Sequence, residues 1–313
     1  MQDGKSQQER WEEAAAACND FITTLGNKYP MDEYRLIRDY QNGEIIFDRR
    51  YGSTNTFEKN NYPVGYNLGQ SGNTPSQNLV DAYEMIDGTP FDWNNPEHKS
   101  NPYANRDPRL AMSILTNNVE FKDRTIEAWT GGRDGKGVIH ATRTGYYIYK
   151  FIDPNLDLLQ NRTSVHHWVI MRYAEILLSY AEAMNEAYGP TGNVGYRLNA
   201  VRALNQVRNR VGVEMPAVPT AISKEELREK IRNERRVELA FEDHRFWDVR
   251  RWMIAPETLG TPLRGVEITK ISDEEFEYKP IEVEKRTFEP KMYLYPIPQA
   301  DLNTTGWVQN PLW

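Results

Sequence analysis

The segment Ser223–Trp252, SKEELREKIRNERRVELAFEDHRFWDVRRW, constrains the fold of this chain more than any other. Ser223 and Glu226 have the spacing of a capping box, which sets the start of a helix. The apolar stripe that follows, Leu227 and Ile231, continues at helical spacing into Glu234 and Glu238 before it reaches Phe241. Acids thus occupy positions that a packed helix gives to core residues. A carboxylate on a buried seam keeps its charge only when cations and hydrogen bonds match it. The segment itself offers Arg235, Arg236, Arg245, Arg250 and Arg251, and Arg172 or Arg208 can reach in from elsewhere. Two readings compete: a catalytic carboxylate pair, and a structural ion-pair lattice built on Glu234, Glu238, Arg235, Arg245 and Arg172. A general acid needs a dry setting that pushes its carboxyl toward neutrality, and abundant arginines act in the opposite sense. The interleaved charges therefore favour the lattice.

The rest of the chain supplies helices for such a lattice to join. Ser6 and Glu9 form a second capping box, and Trp11, Ala15, Cys18, Ile22 and Leu25 recur at helical steps up to Gly26. Cys18 is the only cysteine, so no intrachain disulfide forms, and its alanine neighbours point to packing. A shorter helix carrying Tyr34, Ile37 and Tyr40 is expected after Pro30, then a strand in EIIFDR. From about residue 51 to 165 periodicity gives way to Asn, Gly, Pro, Tyr and Trp. Within it SQNLVDAYEMIDG reads as one helix ending at Gly88, NRDPRLAMSILT as a turn into a strand, and TGYYIYKF as a strand. Helix resumes near Val165, where Ile170, Ala174, Leu177, Ala181, Met184 and Tyr188 make one stripe. A second arm with Val201, Leu204 and Val207 follows Gly189-Pro190. Paired helices with small-residue stripes are the unit of tetratricopeptide-like solenoids, although no strict 34-residue period is present. Beyond Ala255, RGVEI and KMYLYPI read as short strands, and Trp307 and Trp313 are expected to plug the outside of the helical core. The expectation is a mainly α, tetratricopeptide-like scaffold with a large irregular loop-rich subdomain and few short strands. Its parts are a helical segment (1–50), a ligand-binding excursion (51–165), a helical scaffold (166–254) and a C-terminal wrap (255–313).

Charge and motifs exclude several functions. A net charge of -7 argues against a phosphate-binding surface. No apolar run approaches the roughly 18 residues of a spanning helix, and MQDGKSQQER does not read as a signal peptide. The Gly-rich GGRDGKG fails the Walker spacing and reads as a hairpin tip. His166-His167 lacks a third ligand at metal spacing. Calcium held by Asp87, Asp92 or Asp134 is compatible with the loops, but no EF-hand pattern supports it. G-x-S-x-G, H-E-x-x-H and a dinucleotide fingerprint are absent from the sequence. A glycosidase pair such as Asp87 with Asp92 rests only on the abundance of acids.

The excursion does carry one suggestive constellation: Tyr62, Tyr66, Asn67, Gln70, Asn73, Asp92, Trp93, Asn94, Asn95, Tyr103 and Trp129. The C–H face of a pyranose packs on an aromatic ring, while Asn, Gln and Asp share hydrogen bonds with its hydroxyls. The competing role for each ring is to hold the loops together. Trp93, Trp129, Tyr66, Tyr103, Asn73 and Asp92 are the candidate sugar contacts.

The string ERRVELAFEDHRFWDVRRW resembles the signature of the SusD/RagB family. SQNLVDAYEMIDG, NRDPRL, VIMRYAEILLSYAEAMNEA with ALNQVRNRVG, and YLYPIPQADLNTTGWVQNPLW are similar to it in family order. The tail departs in having Asp301 where a Glu is usual. The resemblance implies an outer-membrane, surface-exposed glycan-binding lipoprotein of Bacteroidetes, represented here by its C-terminal portion without the N-terminal part. It further implies a noncatalytic role, in which oligosaccharide is captured and delivered to a SusC-like TonB-dependent transporter. The alternatives are a carbohydrate-active enzyme and a tetratricopeptide-type protein-interaction scaffold.

Overall fold

The computed structural model describes residues 4–313; residues 1–3, the start of the MQDGKSQQER segment, lie outside the described residues. Helix α1 spans Gln7–Leu25, and its Ser6/Glu9 capping box closes as the spacing requires. Strand β1 (Ile45–Arg50) follows a single 3-10 turn over Tyr34–Arg38, where a short helix was expected. Strand β2 (His167–Arg172) pairs antiparallel with β1, Asp48 facing Val169 and Arg50 facing His167. Helix α2 (Tyr173–Tyr188) therefore begins eight residues later than the Val165 start expected from sequence. The run Trp168, Val169, Ile170 suits a pleated strand, and Ile170 faces out of it rather than joining the helical stripe.

The helices then assemble around α2, in which Ala174, Leu177, Leu178, Ala181, Ala183 and Met184 are all buried. Small residues let α1 approach through Ala15, and helix α3 (Ala200–Arg208) approaches through Ala203, Leu204 and Val207. Helix α4 (Lys224–Glu238) packs Leu227 and Ile231 on the same cluster, and its Ser223/Glu226 capping box is formed. The Glu-Arg segment is not one continuous helix. Phe241 and Asp243 both take positive φ, which stops the helix after Glu238 and starts α5 (His244–Arg251) at a new angle.

The excursion builds its own core from Tyr62, Tyr66, Tyr83, Phe121, Tyr146 and Tyr147 with Val80, Leu110, Ile114 and Ile126. SQNLVDAYEMIDG is helical only over Gln77–Val80. The reason is local: the buried Arg106 guanidinium donates to the carbonyls of Val80 (2.6 Å) and Tyr83 (2.6 and 3.2 Å), acceptors that a continuing helix needs for itself. Strands β3 (Leu263–Lys270) and β4 (Phe276–Glu284) form a hairpin whose Val266, Ile268 and Tyr278 complete that aromatic core. KMYLYPI is not a strand: its first three residues finish the 3-10 turn Pro290–Tyr293. Trp307 and Trp313 do not plug the helical core: they are 63% and 44% exposed. Trp313 instead stays on its own wrap, donating its indole N–H to the carbonyls of Lys291 (3.0 Å) and Leu294 (2.9 Å).

Candidate functional site

Glu234 and Glu238 lie one helical turn apart on the buried face of α4 and meet arginines, not a cleft. The Glu238 carboxylate accepts from Arg172 (2.7 Å), Arg210 (2.5 Å) and Arg109 (2.8 Å). Glu234 accepts from Arg109 (2.5 Å) and Arg208 (2.8 Å). Arg172 also binds Glu44 (2.8 Å) and Glu242 (2.8 Å), and Lys150 completes Glu242 at 2.6 Å. Arg210 reaches Glu44, and Arg208 reaches Glu84 at 2.9 Å. Burial raises a carboxyl pKa, yet the guanidiniums of Arg210, Arg172 and Arg109 overcome it and hold Glu238 far below the usual range. Burial likewise works against Glu242, and Arg172 with Lys150 holds it at about 2. Both acids are ionised, hydrogen-bonded and shut away from solvent.

Several arginines assigned to this knot from sequence face elsewhere. Adjacent residues on a helix diverge by about 100°, so Arg235 turns away from Glu234 and binds Asp248 of α5 at 3.0 Å. Arg245 makes no ion pair among the described residues and rests half-buried, with its guanidinium 6.0 Å from the Trp252 ring centre. Arg250 donates to the carbonyls of Met292 (2.7 Å) and Tyr293, and Arg251 binds Glu182 at 2.6 Å. The partners missed in the sequence are Arg109, Lys150, Glu44, Glu84, Arg210 and Glu242. Arg109 sat in plain view in NRDPRL, where it read only as part of a turn.

The sugar-contact candidates separate into four groups. Tyr66, like Tyr62, is core: its hydroxyl donates to the carbonyls of Phe121 (2.9 Å) and Arg124 (3.1 Å), and the Arg124 guanidinium lies 3.9 Å over its ring. Neither ring offers a free face, because the rings stand in for the secondary structure this region lacks. Asn73 and Asp92 are exposed but locally engaged, Asn73 with Asn61 (2.7 Å) and Asp92 with Asn94 (2.8 and 3.0 Å). Trp93 is half-buried, donating to Asp81 at 3.0 Å and meeting Phe91 edge to face.

Trp129 and Tyr103 belong to one aromatic run. The Trp129 ring lies 5.3 Å from Phe276, Phe276 lies 6.4 Å from Tyr278, and Tyr278 meets Tyr103 edge-on at 5.4 Å. A recess of about 480 Å³ opens beside this run, between the helical turn Pro96–Ser100 and β4, lined by Lys99, Ile271, Glu275, Phe276 and Tyr278. Phe276 and Tyr278 were not singled out in the sequence because they lie about 150 residues downstream of Trp129, in a hairpin read as wrap. The loop beneath Trp129 is GGRDGKG, which is a run of turns rather than a hairpin tip. A Cβ on Gly135 would sit 1.7 Å from the Trp129 carbonyl oxygen, so only glycine lets the loop pass and seat that ring.

The acids and histidines singled out in these loops are engaged by local partners. Asp87 accepts from the Thr89 hydroxyl (2.6 Å) and N–H (2.9 Å), bonds that lower its pKa, the reverse of what a general acid requires. Asp134 is buried in an ion pair with Arg124 at 2.6 Å. His166 faces Glu58 at 3.0 Å, while His167 lies between Asp48 (3.2 Å) and the Ile37 carbonyl (2.9 Å). No group of three or more potential metal ligands occurs among the described residues.

Comparison with known proteins places this geometry. The family model described as the SusD family matches residues 43–313. A crystal structure of a SusD-like protein from Bacteroides fragilis superposes with a TM-score of 0.79 at 30% identity, over 97% of this chain and 62% of that one. A second B. fragilis structure, described as a SusD-like carbohydrate binding protein, gives 0.77 at 29% identity, over 95% and 61%. SusD-like protein P2 of Formosa agariphila is 34% identical over 120 residues, 37% of this chain and 22% of that protein. The chain thus spans about three-fifths of the length of these solved relatives.

Proposed function

The chain belongs to the SusD family, and from that premise we propose that it binds oligosaccharide at the outer surface of the cell without chemically altering it and delivers it to a SusC-like TonB-dependent transporter. The observation that carries this reading is the contrast between a sealed set of acids and half-buried rings, Trp129 and Phe276, at the edge of the aromatic core. The conspicuous carboxylates, Glu234 and Glu238, are closed off by arginines, which removes them as acid or base. Trp129, Phe276, Tyr278 and Tyr103 line up beside a recess bordered by Lys99 and Glu275, the pairing of flat apolar faces with polar groups that a sugar ring requires. That a structural relative at 29% identity carries a carbohydrate-binding description supports the same class of ligand. No helix among the described residues is long and apolar enough to cross a membrane; surface attachment through a lipid and the transporter is proposed on family membership.

The test is calorimetric titration of plant and algal oligosaccharides into wild type, Trp129→Ala and Trp93→Ala, alongside an assay for released reducing ends. The expected result is saturable binding weakened by Trp129→Ala, with no new reducing ends. Turnover of any polysaccharide would replace this reading with a hydrolase.

A further inference from the structure

Arg235 and Arg236 are neighbours in sequence with different fates. The first is closed in an ion pair with Asp248, whereas the second lines an open cleft of about 560 Å³. This cleft lies between the helical turn Gln77–Val80, the break joining α4 to α5, and the start of β3. Inside it the Arg236 guanidinium donates to the Asn78 carbonyl at 2.5 Å and meets no carboxylate among the described residues. Arg245 lines the same cleft, also with no acid bound to it. Burial, and then the charge of Arg245, push the Arg236 pKa down to about 10. Asp81 on the wall is already neutralised by Arg264 at 2.8 Å, and Arg286 is taken by Glu284 at 2.9 Å. Although Asp81, Asp243 and Glu257 also line this recess, neither the Arg236 nor the Arg245 guanidinium is ion-paired among the described residues, so both can receive an anion.

We propose that this cleft binds the carboxylate or sulfate group of an acidic saccharide, with Arg236 and Arg245 receiving the anion. The proposal rests on the saccharide-binding reading above and narrows its ligand. Phe246, 38% exposed, offers a ring face on the same cleft. Asp243 and Glu257 stand exposed at the rim, where they repel a run of like charges but accept hydrogen bonds from sugar hydroxyls. A sugar with one anionic group and several hydroxyls therefore fits better than an acidic peptide.

The experiment titrates trigalacturonate, a sulfated chondroitin disaccharide, neutral xylotriose and hexaglutamate into wild type, Arg245→Gln and the Arg236→Gln/Arg245→Gln double variant, at low and high salt. At least one acidic sugar should bind about tenfold more tightly than xylotriose, and the advantage should shrink at high salt. Which acidic probe is favoured separates carboxylate from sulfate. Both variants should lose the advantage and keep their affinity for xylotriose. Because Arg236 also bonds the Asn78 carbonyl, thermal melts accompany the titrations, and Arg245→Gln alone carries the test if the double variant fails to fold. Xylotriose bound as tightly as the acidic sugars, or an advantage surviving in Arg245→Gln, overturns this proposal and leaves the saccharide reading standing. Absence of binding by every sugar overturns both. Hexaglutamate binding as tightly as trigalacturonate reassigns the cleft to peptide.

Discussion

The molecule has two interiors built on different principles. The excursion is held by rings meeting edge to face, such as Tyr62 and Tyr66 against Phe121, with almost no regular secondary structure. The contact between the excursion and the helices is instead held by charge: Arg109 and Lys150 come from the excursion, and Glu234, Glu238 and Glu242 come from α4 and the turn after it. Ring packing tolerates small slides, because dispersion is nearly non-directional. Bidentate guanidinium pairs do not, since a displaced partner leaves a buried charge unmatched. The joint therefore sets the orientation of the loops, while the ring core lends them stiffness.

The largest effect expected from breaking this division is at its charged centre. Glu238→Gln strips the charge that Arg109, Arg172 and Arg210 share, and should cost about 3–5 kcal/mol of stability in chemical denaturation. Arg172→Met should cost a similar amount by removing the one cation that Glu44, Glu238 and Glu242 share. A loss below about 1 kcal/mol in both would show that the joint is held by apolar contacts instead.

Acid should unfasten the same joint. The pKa of Glu242 falls from its ordinary 4.5 to about 2 on folding, so the unfolded chain binds its proton first as pH drops. Its stabilisation is complete above about pH 5, shrinks as pH falls through the 4.5 to 2 window, and is worth about 3 kcal/mol across it. Glu238 shifts in the same direction and adds to the slope. Denaturant midpoints should hold from pH 7 to about pH 5 and fall between pH 5 and pH 3, with Glu242→Gln flattening the curve.

How much of this was legible depended on distance along the chain. The capping boxes at Ser6 and Ser223 and the stripe of α2 are local patterns, and the structure has them. That acids at Glu234 and Glu238 require cations was also legible. Which cations they meet was not, because Arg109, at the head of the short helix Arg109–Ser113, and Arg210 arrive from distant segments, and helical geometry sends Arg235 the wrong way. Among the rings, those destined for the core and those left at the surface carry the same local signal. Tyr66 and Trp129 differ only in whether another segment covers them, and β4, far downstream, decides that for Trp129.

On the aromatic side the expected effect is on binding rather than folding. Trp129→Ala should weaken oligosaccharide affinity about tenfold, near 1.4 kcal/mol, while the acid response of the joint stays intact. Gly135→Ala should mimic it without removing the ring, since the added methyl must displace the Trp129 backbone. Equal affinity in both variants would move the sugar site away from this run, towards Trp93.

The smallest expected effect separates stability from binding. Ser223→Ala removes the hydroxyl that accepts from the Glu226 N–H at the exposed start of α4, remote in sequence from both Glu238 and Trp129. It should cost about 1 kcal/mol, a melting shift of roughly 2–4 °C, because one cap bond is exchanged for water. Affinity for oligosaccharide should not change. If it falls along with the melting temperature, then weakening the scaffold by itself loosens the ring surface, and the reduced binding of Trp129→Ala no longer identifies a contact. If affinity holds, the joint and the rings are separable, and each can be altered without disturbing the other.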